Sequence, residues 1–393
     1  MNKIKYFDHA ATTAVSKEVL KEMMPYFNIE YGNPSTMYTI GRRAKKAIEE
    51  ARKKVATTIN SKHKEIYFTS CGTESDNIAI KGIAYSNRNK GNHIITSKIE
   101  HHAVLDACKS LEKEGFNVTY LGVDEYGMIN LQELEDAITN KTILISIMFA
   151  NNEIGTIEPI EEIGKIAKKY NIIFHTDAVQ AIGNVKIDVQ KMNVDLLSIS
   201  AHKFYGPKGV GAIYIRQGIK CNKLQDGGNQ ERNLRAGTEN VAGIVGMGKA
   251  IELAYQNLEE YNNKLVELRD YYISQIEQKI PYIKVNGHRK KRLPGNSNIS
   301  FEFVDGEELL LSLDEKGICA SSGSACSTGG ANPSHVLLEI GIKEKNAKSA
   351  LRVTFGAENT REDVCFLVNN LVEIIQRLRN MSPEYLEFVK NKL

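Results

Sequence analysis

Short apolar runs, each closed by Gly, Ser, Thr, Asn or Asp, recur through the first half of the chain with amphipathic stretches between them. The runs near Ile66–Thr69, His93–Thr96, Asn117–Leu121, Ile143–Met148, Ile172–His175, Leu196–Ser200 and Gly211–Ile215 predict strands. Glu74–Ser86 and Pro159–Tyr170 predict helices between the earlier ones. This alternation predicts an α/β fold, a mostly parallel sheet covered on both faces. Charged, helix-forming sequence from about Val241 to Lys279 predicts one long connecting helix. Beyond it the pattern changes to strands at Asn298–Phe303, Ile318–Ala320 and Leu351–Phe355. Helices at Glu307–Lys316, Ser334–Ile340 and Glu362–Arg379 interleave with them, which predicts a smaller α+β unit.

One predicted strand runs into Ser198-Ile-Ser-Ala-His-Lys203-Phe-Tyr-Gly-Pro-Lys-Gly209. A lysine between two apolar strands is costly as a surface charge. It suits a Schiff-base amine, whose pKa must fall to make it nucleophilic. A phosphate-contacting or snorkelling lysine fits that segment equally well. A second strand, in Asn171-Ile-Ile-Phe-His-Thr-Asp177-Ala-Val-Gln180, ends in a carboxylate. A carboxylate there keeps a pyridine nitrogen protonated, the condition for pyridoxal phosphate (PLP) to act as an electron sink. A plain N-cap after a strand has the same look. Gln180, three residues on, is spaced to reach the ring hydroxyl. A third segment, around Thr69-Ser-Cys-Gly72-Thr73-Glu, is a strand, a Gly turn and a helix start, where free N–H groups and the Thr73 hydroxyl offer an anion site. No Gly-x-x-x-x-Gly-Lys-Ser/Thr occurs, and no Gly-x-Gly-x-x-Gly opens a helix after a strand, which argues against a nucleotide.

The motifs Thr-Ser-Cys-Gly-Thr-Glu-Ser-Asp-Asn, Glu100-His101, Asn151-Asn152-Glu-Ile-Gly, His-Thr-Asp177-Ala-Val-Gln180, Ser200-Ala-His202-Lys203 and Arg235-Ala-Gly-Thr238-Glu-Asn come in that order. Together they resemble the NifS/IscS-type cysteine desulfurases, PLP enzymes of the class V aminotransferase fold. The resemblance spans Tyr6-Phe-Asp-His-Ala-Ala-Thr-Thr to Ser382-Pro-Glu-Tyr, and its wording leans toward the NifS side. It implies a homodimer with a large PLP-binding domain at 14–257. It also implies a small domain at 258–393, which the N-terminal arm 1–13 joins. Lys203 would carry the cofactor and act as base at Cα, and Asp177 would face the ring nitrogen. His101 would stack on the ring, and Asn152 would sit near the ring hydroxyl and the substrate. Gly72, Thr73, Ser200 and His202 would contact the phosphate, with Thr238 reaching it from the other subunit. Arg352 would hold the substrate carboxylate, with Asn33 assisting. His102 matches no role.

Small residues surround one thiol in Ala320-Ser-Ser-Gly-Ser-Ala-Cys326-Ser-Thr-Gly-Gly-Ala-Asn-Pro, which predicts an exposed cysteine on a mobile loop. Beside a PLP constellation, Cys326 is the expected nucleophile. It would take the sulfur of L-cysteine and carry it outward as a persulfide. Cys71 is the rival, but a turn that wraps a phosphate cannot swing. Cys319 reads as a small apolar residue of a buried strand, and Cys108, Cys221 and Cys365 sit alone in ordinary sequence. With no Cys-x-x-Cys pair and no zinc spacing, no metal site of the chain's own is expected. Cys326 remains open as a transient iron–sulfur ligand shared with a scaffold.

At 393 residues there is room for two cores. A net charge of +3 is too small to argue for nucleic acid or a membrane surface. The basic runs Arg42-Arg43-Ala-Lys45-Lys46 and Arg289-Lys-Lys-Arg292 read as a solvated helix face and a surface loop. No long apolar run occurs, and Met1-Asn-Lys-Ile-Lys-Tyr-Phe-Asp lacks the apolar core of a secretory signal, so a cytoplasmic location is expected. Two departures from the family stand out. Gly330-Ala-Asn-Pro-Ser-His335 replaces the family's Ser-Leu-Glu-Pro-Ser-His, and the longer tail by which the IscS type docks its scaffold is not seen after Ser382-Pro. The expected function is cysteine desulfuration: L-cysteine to L-alanine, with the sulfur passed to a NifU/IscU-like iron–sulfur scaffold or another acceptor. Selenocysteine lyase or another β-elimination is the enzymatic alternative. A persulfide carrier or assembly subunit is the non-enzymatic one.

Overall fold

The computed structural model of the chain describes residues 4–322 and 333–392. Its strands are β1 (Lys5–Tyr6), β2 (Ile66–Thr69), β3 (His93–Ser97), β4 (Asn117–Leu121), β5 (Thr142–Ser146), β6 (Ile173–Asp177), β7 (Leu196–Ser200), β8 (Gly211–Ile215), β9 (Ile283–Val285), β10 (Asn296–Phe301), β11 (Ile318–Cys319) and β12 (Ala350–Thr354). Seven of them form one sheet in the order β2-β8-β7-β6-β5-β3-β4. β3 to β7 run parallel, and β8 runs antiparallel to both its neighbours. The fold is therefore α/β with a mostly parallel sheet.

Successive side chains explain why this sheet is covered twice. Ile95, Ile145, Leu197 and Tyr214 enter one apolar core, while their neighbours Ile94, Leu144, Leu196 and Ile213 enter another. Helices Thr39–Thr58 and Val241–Gln256 cover the first face through Ile48, Val55, Ile244 and Met247. Their approach is close: a Cβ on Gly248 would sit 2.7 Å from that of Ala51. Helix His102–Glu112 and the segment Ile78–Ala84 cover the second face.

The long helix expected over Val241 to Lys279 is two helices, Val241–Gln256 and Leu258–Lys279, broken at Asn257 (φ −127°, ψ 34°). The break has a packing cause. Residues before it belong to the first core, whereas Leu265, Leu268, Tyr272 and Ile276 belong to a separate core built on the sheet β12-β10-β9. A straight helix cannot serve both. β9 is too short to be legible as an apolar run.

The segment from β1 to Thr13 crosses between the two cores. β1 pairs in parallel with β11, and Thr354 N–H donates to Phe7 O at 2.7 Å, with the Phe7 ring buried in the second core. A few residues later Thr13 N–H donates to His202 O at 2.9 Å, on the large sheet's side.

β2 is an edge strand, and a loop seals it. Glu231, Arg232 and Asn233 all hold left-handed backbone (φ 42°, 53° and 68°), which costs non-glycine residues on the order of 1–3 kcal/mol each. Offsetting this, Arg52 donates to both Glu231 oxygens at 2.7 and 2.8 Å, and Phe68 N–H donates to Glu231 at 2.8 Å. Arg52 and Arg232 both reach Ile66 O, so the exposed strand edge is satisfied. Arg52→Leu should lower the denaturant-derived stability by about 3–5 kcal/mol, because it strands the buried Glu231 charge. An unchanged unfolding midpoint would show that the pair does not hold the loop.

Candidate active site

The parallel strands end together on one side of the sheet, where polar side chains first escape the two cores. A cavity of about 700 Å³ opens there. Gly72, Thr73, His101, Asn152, Asp177, Gln180, Ser200, His202, Lys203 and Arg352 all line it. Most of the sequence-derived site therefore comes together, although its members lie as much as 280 positions apart in the chain, from Gly72 to Arg352.

After β2 the chain turns into helix Gly72–Asn77, which continues through a π turn at Ile78–Gly82. Cys71 makes no side-chain cap, and Ser75 N–H is the first to find a helical acceptor, Cys71 O at 3.2 Å. The N–H groups of the preceding turn have no helical acceptor and suit an anion. Gly72 is required at this position: a Cβ there would lie 2.6 Å from Val179 Cγ2, against the loop that follows β6.

β6 delivers Asp177, whose Oδ1 accepts Val179 N–H at 2.9 Å. Burial pushes its carboxyl up, while that N–H and the charges of His101 and Lys203 pull it back. β7 ends at Ser200, and the tight turn Ala201–Lys203 then sets His202 and Lys203 into the cavity wall. Lys203 Nζ donates to Ala10 O at 2.6 Å and to Ala11 O at 2.8 Å. Gln180 also reaches Ala10 O, at 3.0 Å. His202 Nδ1 lies 3.1 Å from Thr12 Oγ1, and burial, aided by Lys203 and Lys208, lowers its imidazole to about 4.

After β3, His101 caps helix His102–Glu112, its Nδ1 accepting Ala103 N–H at 3.1 Å. That bond places the proton of the neutral ring on Nε2. Burial lowers its pKa, Asp177 opposing and Lys203 assisting the shift. Arg352, 2 % exposed on β12, donates from Nη2 to Asp8 Oδ1 at 2.7 Å and from Nη1 to Asn152 O at 3.1 Å.

Asn33 and Thr238 do not line this cavity; both are exposed, and Asn33 Oδ1 accepts Ser35 N–H. Cys326 lies outside the described residues. Cys319, expected to be buried, is half-buried in the short β11.

Sequence reasoning gave no role to the carboxyls packed around the site. Asp76 is fully buried, with Oδ1 lacking a hydrogen-bond partner among the described residues and 3.7 Å from His175 Nε2. Burial and the neighbouring Asp177 charge raise its carboxyl well above the usual range. Four residues from Gly72 on one helix face, it carried a legible signal. Glu100 accepts Ser97 Oγ–H and Met148 N–H on Oε1, its Oε2 has no partner among the described residues, and burial pushes it up to about 8. Asp8 gave no local signal, being 344 positions from Arg352.

The family model for class V aminotransferases matches residues 5–367. The chain belongs to that family. It is 56% identical to a cysteine desulfurase IscS of Clostridium botulinum over 394 residues, covering 100% of this chain and 99% of that one. To the IscS of Methanosarcina thermophila it is 58% identical over 382 residues, 97% of this chain and 94% of that one. Among solved structures it is similar to a NifS-like protein (TM-score 0.90, 39% identity, 95% of this chain and 100% of that one). It is also similar to SspA in complex with cysteine (TM-score 0.80, 39% identity, 89% and 98%). Within the class V family it therefore belongs with the cysteine desulfurases, which are PLP-dependent enzymes. The donor set fits such a cofactor: a lysine, a buried carboxylate, an imidazole and a helix start converge on one cavity, and a glycine keeps the helix start from filling it.

Glu100 allows a test of this wall. Protonated in the fold up to about pH 8, it ionises near 4.3 when unfolded. Its contribution is therefore full below that lower value and is lost as the pH rises toward the upper one. Glu100→Gln keeps the Oε1 contacts and carries no charge. Between about pH 5 and 8.5 the variant should lose less stability than the wild type, measured by chemical denaturation. Parallel pH profiles would mean that Glu100 is ionised in the fold.

Proposed function

We propose that this chain is a PLP-dependent cysteine desulfurase that converts L-cysteine to L-alanine and leaves the sulfur on Cys326 as a persulfide. One observation carries the reading: His101, Asp177, Lys203 and Arg352 converge on a single cavity from separate strands, in a chain 56% identical to a curated cysteine desulfurase over its whole length.

Lys203 would hold the cofactor covalently. Gly72, Thr73, Ser200 and His202 would hold its phosphate, with Thr238 supplied by a second copy. Asp177 would keep a proton on the ring nitrogen, and His101, Asn152 and Gln180 would flank the ring. When bound there, PLP supplies an electron sink that acidifies the substrate Cα–H. Lys203, its amine freed by the incoming substrate amine, takes that proton and later returns it to Cα. Arg352 holds the substrate carboxylate as a charge-assisted pair. The Cys326 thiolate bonds to the substrate Sγ, and the Cβ–Sγ bond breaks with its electron pair left on Cβ. Cβ gains a proton and becomes the alanine methyl group. The persulfide then feeds an iron–sulfur scaffold or another acceptor, in the cytoplasm. No helix among the described residues is long and apolar enough to cross a membrane.

A homodimer and the division into 14–257 and 258–393, with the arm 1–13 on the smaller part, complete the proposal. Support for the dimer comes from a run of exposed apolar side chains on either side of Asn33: Met24, Phe27, Ile29, Tyr31, Met37 and Tyr38, the last five 54–90% exposed.

Purified, PLP-loaded protein given L-cysteine and a thiol reductant should release alanine and sulfide in equal amounts. Cys326→Ser should keep its cofactor yet lose alanine production by about two orders of magnitude or more, since a hydroxyl is too weakly acidic to replace the thiolate. Pyruvate and ammonia in place of alanine would mark a β-elimination enzyme and overturn the reading. Arg352→Ala should raise the KM for L-cysteine by roughly one to two decades with cofactor content preserved. Lost cofactor at an unchanged KM would make Arg352 a phosphate or scaffold residue.

A further inference from the structure

We infer that Asp8 is the positioning residue that aims the Arg352 guanidinium at the substrate carboxylate. The inference rests on the desulfurase reading and adds to it a residue from the crossing segment, outside both sheets. Arg352 is buried on the central part of β12, and its planar guanidinium is fixed at two nitrogens: Nη2 by Asp8 Oδ1 at 2.7 Å and Nη1 by Asn152 O at 3.1 Å. Two fixed nitrogens set both the plane and its rotation. Arg352 Nε, also buried, has no hydrogen-bond partner among the described residues. A preoriented buried donor on a side chain that lines the cavity is what a carboxylate ligand needs. The other nearby carboxylate, Glu153, has Oε2 engaged by Ser334 Oγ at 2.5 Å.

The Asp8 backbone is held by other means. Residue 8 forms a bridge pair with Thr354, Asp8 O accepts Tyr6 Oη–H at 3.0 Å, and Ala10 N–H donates to Thr354 Oγ1 at 2.9 Å. Among the described residues, the hydrogen-bond partner of the carboxylate is Arg352. The same segment turns the Ala10 and Ala11 carbonyls to Lys203, so one stretch of backbone addresses both cations of the site. Without Asp8, the guanidinium loses one of its two fixed points and a half-buried carboxylate partner, and it pivots about the remaining bond.

The test uses the PLP-loaded enzyme. Asp8→Ala should raise the KM for L-cysteine about tenfold with kcat within about twofold, and Asp8→Asn, which keeps an acceptor oxygen, should raise it less. Calorimetric affinity for L-alanine, which bears the same carboxylate and does not turn over, should fall by a similar factor. Asp8→Ala added to Arg352→Ala should change neither value further, since Asp8 acts through that side chain. An Asp8 variant with an unchanged or lowered KM, or an additive double variant, would overturn the inference. If Asp8→Ala does not fold, Asp8→Asn and Asp8→Glu are judged by the same two readouts. An Arg352→Ala enzyme with raised KM beside Asp8 variants that behave as wild type would sink this inference alone. A wild type that makes no alanine would sink the desulfurase reading with it.

Discussion

Burial on both faces is the constraint from which the site follows. Because Ile94 and Ile95, Leu144 and Ile145, or Leu196 and Leu197 enter opposite cores, the middle of each strand has no room for an unpaired charge. Polar side chains such as Ser146, His175 and Ser198 survive there by bonding one another, with His175 between the two serines at 2.9 and 3.0 Å. Functional groups are driven to the strand ends. There β6 releases Asp177, β7 releases Lys203 one short turn later, and β3 releases His101 at the start of its helix. Parallel direction makes those ends coincide.

The second core contributes what a single sheet cannot. β12 brings Arg352 to the cavity from a unit that meets the large sheet along the Asn151–Thr156 loop. That loop is held from the small side: Asn296 and Asn298 donate to Glu153 O, and Arg292 donates to Ile154 O. Backbone carbonyls are its acceptors, which fixes the position of Asn152 without spending side-chain charge in the site. The segment from Asp8 to Thr13 completes the frame by bonding to Arg352, Lys203, Gln180 and His202 within a few residues.

Electrostatically the wall is unusual in its buried carboxyls. Asp76 and Glu100 are both pushed upward by burial, Glu100 to about 8, and Asp177 is the carboxyl with cationic neighbours to favour its charge. The three lie in one cavity lining, and their environments separate their roles.

The sequence alone determined the parts whose signals are local. Short continuous apolar runs marked the seven strands of the large sheet to within a residue or two. Residue types at strand ends marked Gly72, Asp177 and Lys203, because the chemistry of an anion turn, a ring-nitrogen partner and an amine nucleophile is written in adjacent positions. Resemblance to a family added His101, Asn152 and Arg352, which no local pattern singles out. Tertiary structure alone decided the rest. The break at Asn257 arises because consecutive helices bury their faces in different cores, a choice invisible in a continuous helical pattern. Nothing local in Tyr6-Phe-Asp8-His-Ala-Ala-Thr-Thr points Asp8 at Arg352, and Ala10 and Ala11 act through carbonyl oxygens that every residue possesses. Contacts of that kind carry no residue-type signature. They exist only because parallel pairing of β1 with β11 lays that segment across the carboxyl ends of strands far away in the chain.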